Sequence, residues 1–94
     1  MRKIEKKMVN AVNRSKNFNE GNTEVRIDAN GLSVLLYGNI IFQIRGKEKF
    51  FTLSGWNTPT TRSRLNALGV RVSQKNWEPI FNGAVINSYK WYKL

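Results

Sequence analysis

The sequence predicts an α+β fold in which an antiparallel β-meander packs against an N-terminal helix and a second, later helix. Three observations predict this fold. Apolar residues recur at helical spacing near the N-terminus, short strand-forming segments alternate with tight-turn signals through the centre, and a helix start and stop bracket residues 59–68. The chain of 94 residues has the size of one domain, so we treat residues 1–94 as a single small α+β domain.

The first element is a predicted helix from Arg2 to Ser15. Its apolar residues share one face because they follow one another at i, i+4, i+7 and i+8; they are Ile4, Met8, Ala11 and Val12. The other positions are largely basic, which is typical of a helix that docks on a sheet and leaves its charge outward. The apolar stripe contains no Trp or Phe, so docking is favoured over binding to a membrane surface.

Four strands are predicted after a turn-rich linker at Asn17 to Asn22. Apolar and charged residues alternate in the first strand, as a half-buried strand requires. The four predicted strands are Val25–Asp28, Leu32–Tyr37, Ile40–Arg45 and Lys49–Leu53. Tight turns between them are predicted at Asn30-Gly31, Gly38-Asn39 and Gly46-Lys47-Glu48.

The second predicted helix runs from Pro59 to Leu68. Thr58 suits the N-cap, Pro59 suits the first helical position, and Gly69 suits the residue after the helix. The tail from Val70 to Leu94 is rich in strand formers and contains a further hairpin signal at Asn82-Gly83. The predicted order of elements is therefore α-ββββ-α-βββ.

The strongest functional indication is the charge of the chain. Sixteen Lys and Arg stand against six Asp and Glu, which gives a net charge of +10. Because such a chain attracts polyanions, the favoured partners are nucleic acid, anionic lipid or an acidic protein face. The alternative is a basic surface that only maintains solubility.

The composition argues against enzymatic chemistry. The chain contains no cysteine and no histidine, which excludes zinc fingers, Cys-His pairs and Ser-His-Asp triads. Its six carboxylates are scattered, and no glycine-rich phosphate loop occurs. We therefore predict that the protein is not an enzyme and uses no cofactor or metal.

No segment has the pattern of a membrane span or a secretory signal. The longest mostly apolar run, Leu32 to Phe42, is too short to cross a bilayer. The basic N-terminus lacks the apolar stretch of a signal peptide. We therefore predict a cytoplasmic protein with no membrane partner.

A polar segment around the start of the second helix is the predicted binding site. A helix N-terminus presents free N–H groups and a positive dipole, which favour phosphate, and here hydroxyls and arginines surround it. The predicted nucleic-acid-binding residues are Thr58, Thr60, Thr61, Arg62, Ser63, Arg64, Asn66, Arg71 and Lys75. The alternative is a helix cap followed by a solvated polar face.

A second group of residues combines aromatic and basic side chains. The aromatic members are Trp56, Trp77, Tyr89, Trp91 and Tyr92, and the basic members are Arg71, Lys75, Lys90 and Lys93. This mixture suits single-stranded nucleic acid, because bases stack on aromatic rings while cations follow the phosphates. The alternative, which we favour from sequence alone, is that most of these rings fill the core of a small domain. Adjacent strand residues point to opposite faces, so at most one of Trp91 and Tyr92 packs inward.

The segment from Gly55 to Leu68 resembles small phage proteins that carry a Gly-Trp-x-Thr-x-Thr-Thr-(Arg/Lys)-Ser-Arg-Leu-Asn-Ala-Leu signature. This resemblance implies a phage origin, a location in the host cytoplasm, and no particular activity. Two hypotheses follow. The first is a protein that binds DNA or RNA; the second is an inhibitor that binds a host protein or ribonucleoprotein effector, for example an anti-CRISPR. A virion component is less favoured, because the chain has no coiled coil or repeat.

Overall fold

A six-stranded antiparallel sheet lies at the centre of the computed structural model, which describes all 94 residues. The helices are α1 (Lys3–Asn13) and α2 (Pro59–Ala67). The large sheet has the order β1-β2-β3-β4-β5-β9, with β1 (Phe18–Glu20), β2 (Thr23–Asp28), β3 (Gly31–Leu36), β4 (Asn39–Arg45), β5 (Glu48–Phe51) and β9 (Tyr92–Lys93). A small sheet contains β6 (Ser73–Lys75), β7 (Glu78–Phe81) and β8 (Ala84–Val85). The α+β prediction is confirmed.

The core lies between one face of the large sheet and the two helices. α1 contacts β1, β2 and α2, while α2 also contacts β4. Met8 from α1 and Leu65 from α2 are fully buried with Phe42 and Phe51 from the sheet. Phe81 from the small sheet packs edge-on against Phe51, with ring centroids 4.8 Å apart. Each such large apolar side chain contributes about 1.5–3 kcal/mol when it leaves water, so these contacts hold the two sheets and both helices together.

The predicted alternation of β2 is confirmed. Val25 and Ile27 point into the core, whereas Glu24 and Arg26 lie on the opposite face of the sheet. There the Arg26 Nε donates to Glu24 Oε2 at 3.1 Å. No helix covers this second face, which is why its strand positions carry charge.

Both ends of the large sheet are formed by tight turns, but two of these turns lie one residue away from their predicted positions. Leu36 pairs with Asn39, so the β3–β4 turn is Tyr37-Gly38 rather than Gly38-Asn39. Asp28 pairs with Gly31, so the β2–β3 turn is Ala29-Asn30 rather than Asn30-Gly31. Gly31 begins β3, and a glycine is needed there because a Cβ would collide with the Ile44 carbonyl oxygen.

Two strands of the large sheet were not predicted. β1 falls in the segment predicted to be a linker, where Phe18 pairs with Val25 and packs against the core. β9 pairs with β5 through Tyr92 and Phe51. Both strands gain their stability from tertiary packing rather than from local propensity.

Candidate nucleic-acid interface

The start of α2 is organised by two threonines. Thr58 is the N-cap, as predicted, and its Oγ1 accepts a hydrogen bond from the Thr61 backbone N–H at 3.1 Å. The two hydroxyl oxygens also lie 2.9 Å apart and form a hydrogen bond. Because Thr61 is buried, both hydroxyls are used inside the protein rather than offered to a ligand.

Arg64 forms a buried ion pair with α1. Its Nη1 donates to Glu5 Oε2 at 2.8 Å, and the two residues are only 3% and 2% exposed. The remaining guanidinium donors are also satisfied: Nε donates to Thr23 Oγ1 at 3.0 Å and Nη2 donates to Asn22 Oδ1 at 3.2 Å. Arg64 therefore joins α2 to α1 and to the start of β2. A phosphate could reach it only if this network opened.

Glu5 accepts hydrogen bonds from three residues. The Ser63 hydroxyl and Arg64 donate to Oε2, and the Arg2 backbone N–H donates to Oε1 at 3.0 Å. Burial raises the pKa of the Glu5 carboxyl, but these hydrogen bonds and the charge of Arg64 together outweigh it, so the pKa lies below its ordinary value. Glu5 is therefore ionised at neutral pH and stabilises the contact between the helices.

Asn66 and Arg62 also have partners within the chain. The Asn66 side chain donates to the Val72 carbonyl at 2.9 Å and accepts from the Val72 N–H at 2.7 Å. These bonds fix the connection that follows α2. Arg62 is half-buried and donates to the Asn57 side chain.

The predicted site residues thus fall into two groups. Six of them form side-chain hydrogen bonds within the protein, and they are Thr58, Thr61, Arg62, Ser63, Arg64 and Asn66. The other three, Thr60, Arg71 and Lys75, keep some exposure and form no such bond. Most of the predicted binding residues therefore use their polar groups inside the protein, where they hold α2 in place.

Five aromatic side chains are exposed. They belong to Tyr37, Trp56, Trp77, Tyr89 and Trp91. Four of these are in the predicted group of five aromatic residues, so the expectation that most of that group is core or half-buried is wrong. The prediction for the adjacent pair is confirmed, because Tyr92 packs against Phe51 at a centroid distance of 5.7 Å while Trp91 stays exposed.

The loop at residues 54–57 contributes one exposed ring and lies next to three residues that carry others. Tyr37 and Trp56 line one cleft, the Tyr89 ring lies over Gly55, and the Asn57 side chain donates to the Trp77 carbonyl at 3.4 Å. Gly55 is required here, because its φ is +82° and a Cβ would meet the Tyr89 ring at 2.6 Å. We call the region formed by Tyr37, Trp56, Trp77 and Tyr89 the aromatic end. Trp91, which precedes the residue that pairs with Phe51, is not part of it.

A family model described as Kyanoviridae Gp96 protein matches residues 1–93. The chain belongs to this family. The match confirms the predicted phage resemblance. No curated protein and no solved structure matches the chain. The description of the family names no activity.

Two of the exposed rings lie in hairpin turns that normally carry smaller residues. The β3–β4 turn has φ values of +51° at Tyr37 and +78° at Gly38, and the β6–β7 turn has +53° at Asn76 and +67° at Trp77. Such left-handed turns normally use Asn or Gly, because a bulky side chain costs about 1–2 kcal/mol in this conformation. Trp77 is 87% exposed and Tyr37 is 72% exposed, so little burial offsets that cost. Strain of this kind is concentrated at functional positions in proteins.

The unpaired positive charge of the chain is spread over the molecule. Four acids form ion pairs, with Lys7, Arg26, Arg64 and Lys93, which leaves twelve of the sixteen basic residues without an acidic partner. Lys75 and Lys90 lie beside the exposed rings in sequence. Arg45, Lys47 and Lys49 lie at the β4–β5 turn, at the opposite end of β4 from the β3–β4 turn. Ser15, which stands between Arg14 and Lys16 in the chain, lines one cleft with Gly46 of that turn. Charge alone therefore does not select one face.

Two further features bear on ligands and membranes. No three acidic side chains come close enough together to hold a metal ion. Neither helix has the length and apolar character needed to cross a bilayer.

Proposed function

We propose that this phage protein binds single-stranded nucleic acid at its aromatic end, with bases stacked on the exposed rings and nearby cations on the phosphates. The observation that carries the proposal is Trp77, which occupies a left-handed turn position with its ring 87% exposed. The residue destabilises its own turn and fills no core, so its ring is available for an external partner.

Single strands fit this surface better than duplexes. Base faces are accessible only when a base is unstacked, and each base stacked on an aromatic side chain is worth about 1–3 kcal/mol. Trp56, Trp77 and Tyr89 are exposed, and the only pairs of aromatic rings in contact are Phe51–Phe81 and Phe51–Tyr92, so no other aromatic ring stacks on these three. Lys75, Lys90 and Arg62 supply the phosphate contacts. We also assign a phosphate contact to Arg71, which is exposed and follows α2 in the chain.

The test is binding of labelled single-stranded DNA, single-stranded RNA and duplex DNA of equal length across a salt series. We expect single strands to bind more tightly than the duplex, with log affinity falling linearly with log salt. Trp77→Gly should weaken single-strand binding by roughly tenfold, which corresponds to about 1.4 kcal/mol.

A matched pair of lysine variants separates this site from general charge attraction. Lys75 is next to the Trp77 turn and Lys47 is at the opposite end of the sheet, and both are exposed. Lys75→Ala should weaken binding and lower the salt slope, whereas Lys47→Ala should have little effect. Equal effects of the two variants, together with unchanged binding by Trp77→Gly, would reject the aromatic end as the binding surface.

The same exposed rings favour a second candidate, an inhibitor that binds a host protein or ribonucleoprotein effector. Exposed aromatic residues are typical of the centre of protein interfaces. This candidate predicts that single strands bind no better than duplexes at physiological salt. It also predicts that Trp77→Gly weakens a purified effector complex while leaving nucleic-acid binding unchanged.

A further inference from the structure

The most apolar cleft of the molecule opens at the aromatic end. It has a volume of about 470 Å³ and lies between the β3–β4 turn and the start of α2. Buried Leu36, Ile41 and Leu53 form its floor, while exposed Tyr37 and Trp56 form its outer walls. This volume is within the range of about 300–1,000 Å³ that is typical of small-ligand pockets. No other cleft is lined by two aromatic side chains.

Polar groups on the rim of the cleft are available to a ligand. The Thr60 hydroxyl lines the cleft and has no hydrogen-bond partner within the chain, unlike those of Thr58 and Thr61. The Asn39 amide also lines the cleft, and its only hydrogen bond is a long one of 3.4 Å to the Tyr37 carbonyl. An amide and a hydroxyl next to aromatic walls match the needs of a nucleobase, which has a flat π-face and a polar edge.

We infer that this cleft between Tyr37 and Trp56 holds a single unstacked nucleobase of the bound strand. The inference rests on the proposed function and adds a defined subsite to it. The base lies over the apolar floor with its faces toward the two rings, and its edge meets Asn39 and Thr60. The rings of Trp77 and Tyr89 lie outside this cleft and contact neighbouring nucleotides.

Methyl NMR of the cleft floor gives a direct test. Methyl groups of Leu36, Ile41 and Leu53 are assigned in the full chain, and adenosine monophosphate, ribose 5-phosphate and a labelled oligothymidylate are added in turn. We expect the nucleotide and the oligonucleotide to shift these methyl signals through the ring current of the base. Ribose 5-phosphate, which has no base, should leave them in place.

Three variants connect the methyl shifts to binding. Trp56→Ala removes one wall, and Tyr37→Asn removes the other while keeping a residue that tolerates positive φ. Each should lower oligonucleotide affinity by roughly tenfold. Trp91→Ala is the control for the floor signals, because Trp91 is exposed but does not line the cleft. In this variant the nucleotide should still shift the floor methyls as in wild type.

The outcomes separate the subsite from the proposed function. If the oligonucleotide binds with dependence on Trp77 but the floor methyls do not move, the subsite is rejected and the proposed function stands. If no nucleic acid binds, both fail. If an aromatic peptide shifts the floor methyls while nucleotides do not, the cleft serves a protein partner and the inference is overturned.

Discussion

The second helix and the neighbouring Asn76-Trp77 turn use their side chains in opposite ways. α2 is dense in hydroxyls and arginines, yet most of them bond to other parts of the chain, as Arg64 does with Glu5. The turn contributes a Trp that packs against nothing in the core and remains 87% exposed. The difference teaches that a rich set of donors in the sequence can be structural, whereas an exposed residue that opposes its local conformation is the better ground for proposing a binding surface.

The largest expected effect is on folding stability, and it tests the structural role of α2. Arg64→Ala should lower the free energy of unfolding by about 3–5 kcal/mol, because it leaves the Glu5 carboxylate buried without its cation. Urea denaturation at low temperature measures this change. Arg62→Ala is the matched control, since Arg62 is half-buried and bonds only to Asn57. It should change stability by less than about 1 kcal/mol.

A double variant keeps the Arg64 prediction testable even if the single variant unfolds. Glu5→Leu combined with Arg64→Met replaces the buried pair by apolar side chains of similar size, which is often neutral or stabilising. We expect it to recover most of the lost stability and to bind single strands as wild type does. An Arg64→Ala protein that is as stable as wild type would contradict a structural role for this residue.

The contrast between α2 and the turns also explains what the sequence could and could not predict. Periodicity and turn signals predict α1, the meander and the capped start of α2, because these depend on residues close together in the chain. The Arg64 contact was missed because Glu5 lies 59 positions away. Nothing local distinguishes a buried arginine from a phosphate-binding one. The Trp77 turn was missed because the flanking Ser73–Lys75 strand has no apolar residue and every position in it is exposed.

A smaller effect is expected from exchanging turn residues within the small sheet. The β7–β8 turn, Asn82-Gly83, has φ values of +52° and +77°, close to those of Asn76-Trp77. Trp77→Gly removes the strain of a bulky residue in a left-handed conformation. Part of this gain in stability is offset, because glycine has more conformational freedom in the unfolded chain. The free energy of unfolding, measured by thermal or urea denaturation, should therefore rise by about 0.5–1 kcal/mol. Single-strand binding should weaken roughly tenfold in the same variant.

The reciprocal change sharpens the turn comparison. Gly83→Trp places the same side chain at the matching turn position and should destabilise the protein by about 1–2 kcal/mol. If Trp77→Gly instead destabilises the protein, the Trp77 ring contributes to folding, and its exposure no longer indicates a partner.

The smallest expected effect is a change in the free energy of unfolding at acidic pH. The folded pKa of Glu5 is lowered because hydrogen bonds from Ser63, Arg2 and Arg64 exceed the opposing effect of burial. A carboxyl with a lowered folded pKa stabilises the protein above its unfolded pKa, near 4.3, and this contribution is lost as the pH falls through the folded value. Each pH unit by which the folded pKa is lowered contributes about 1.4 kcal/mol to the free energy of unfolding.

The stability gap is the free energy of unfolding of wild type minus that of Glu5→Gln. This gap should be constant from about pH 7 to 5 and narrow below about pH 4. The repulsion among the sixteen basic residues at low pH affects both proteins alike and cancels in the difference. Urea denaturation of the two proteins at each pH measures the gap, and a gap that widens on acidification would mean that burial, not hydrogen bonding, determines the ionisation of Glu5.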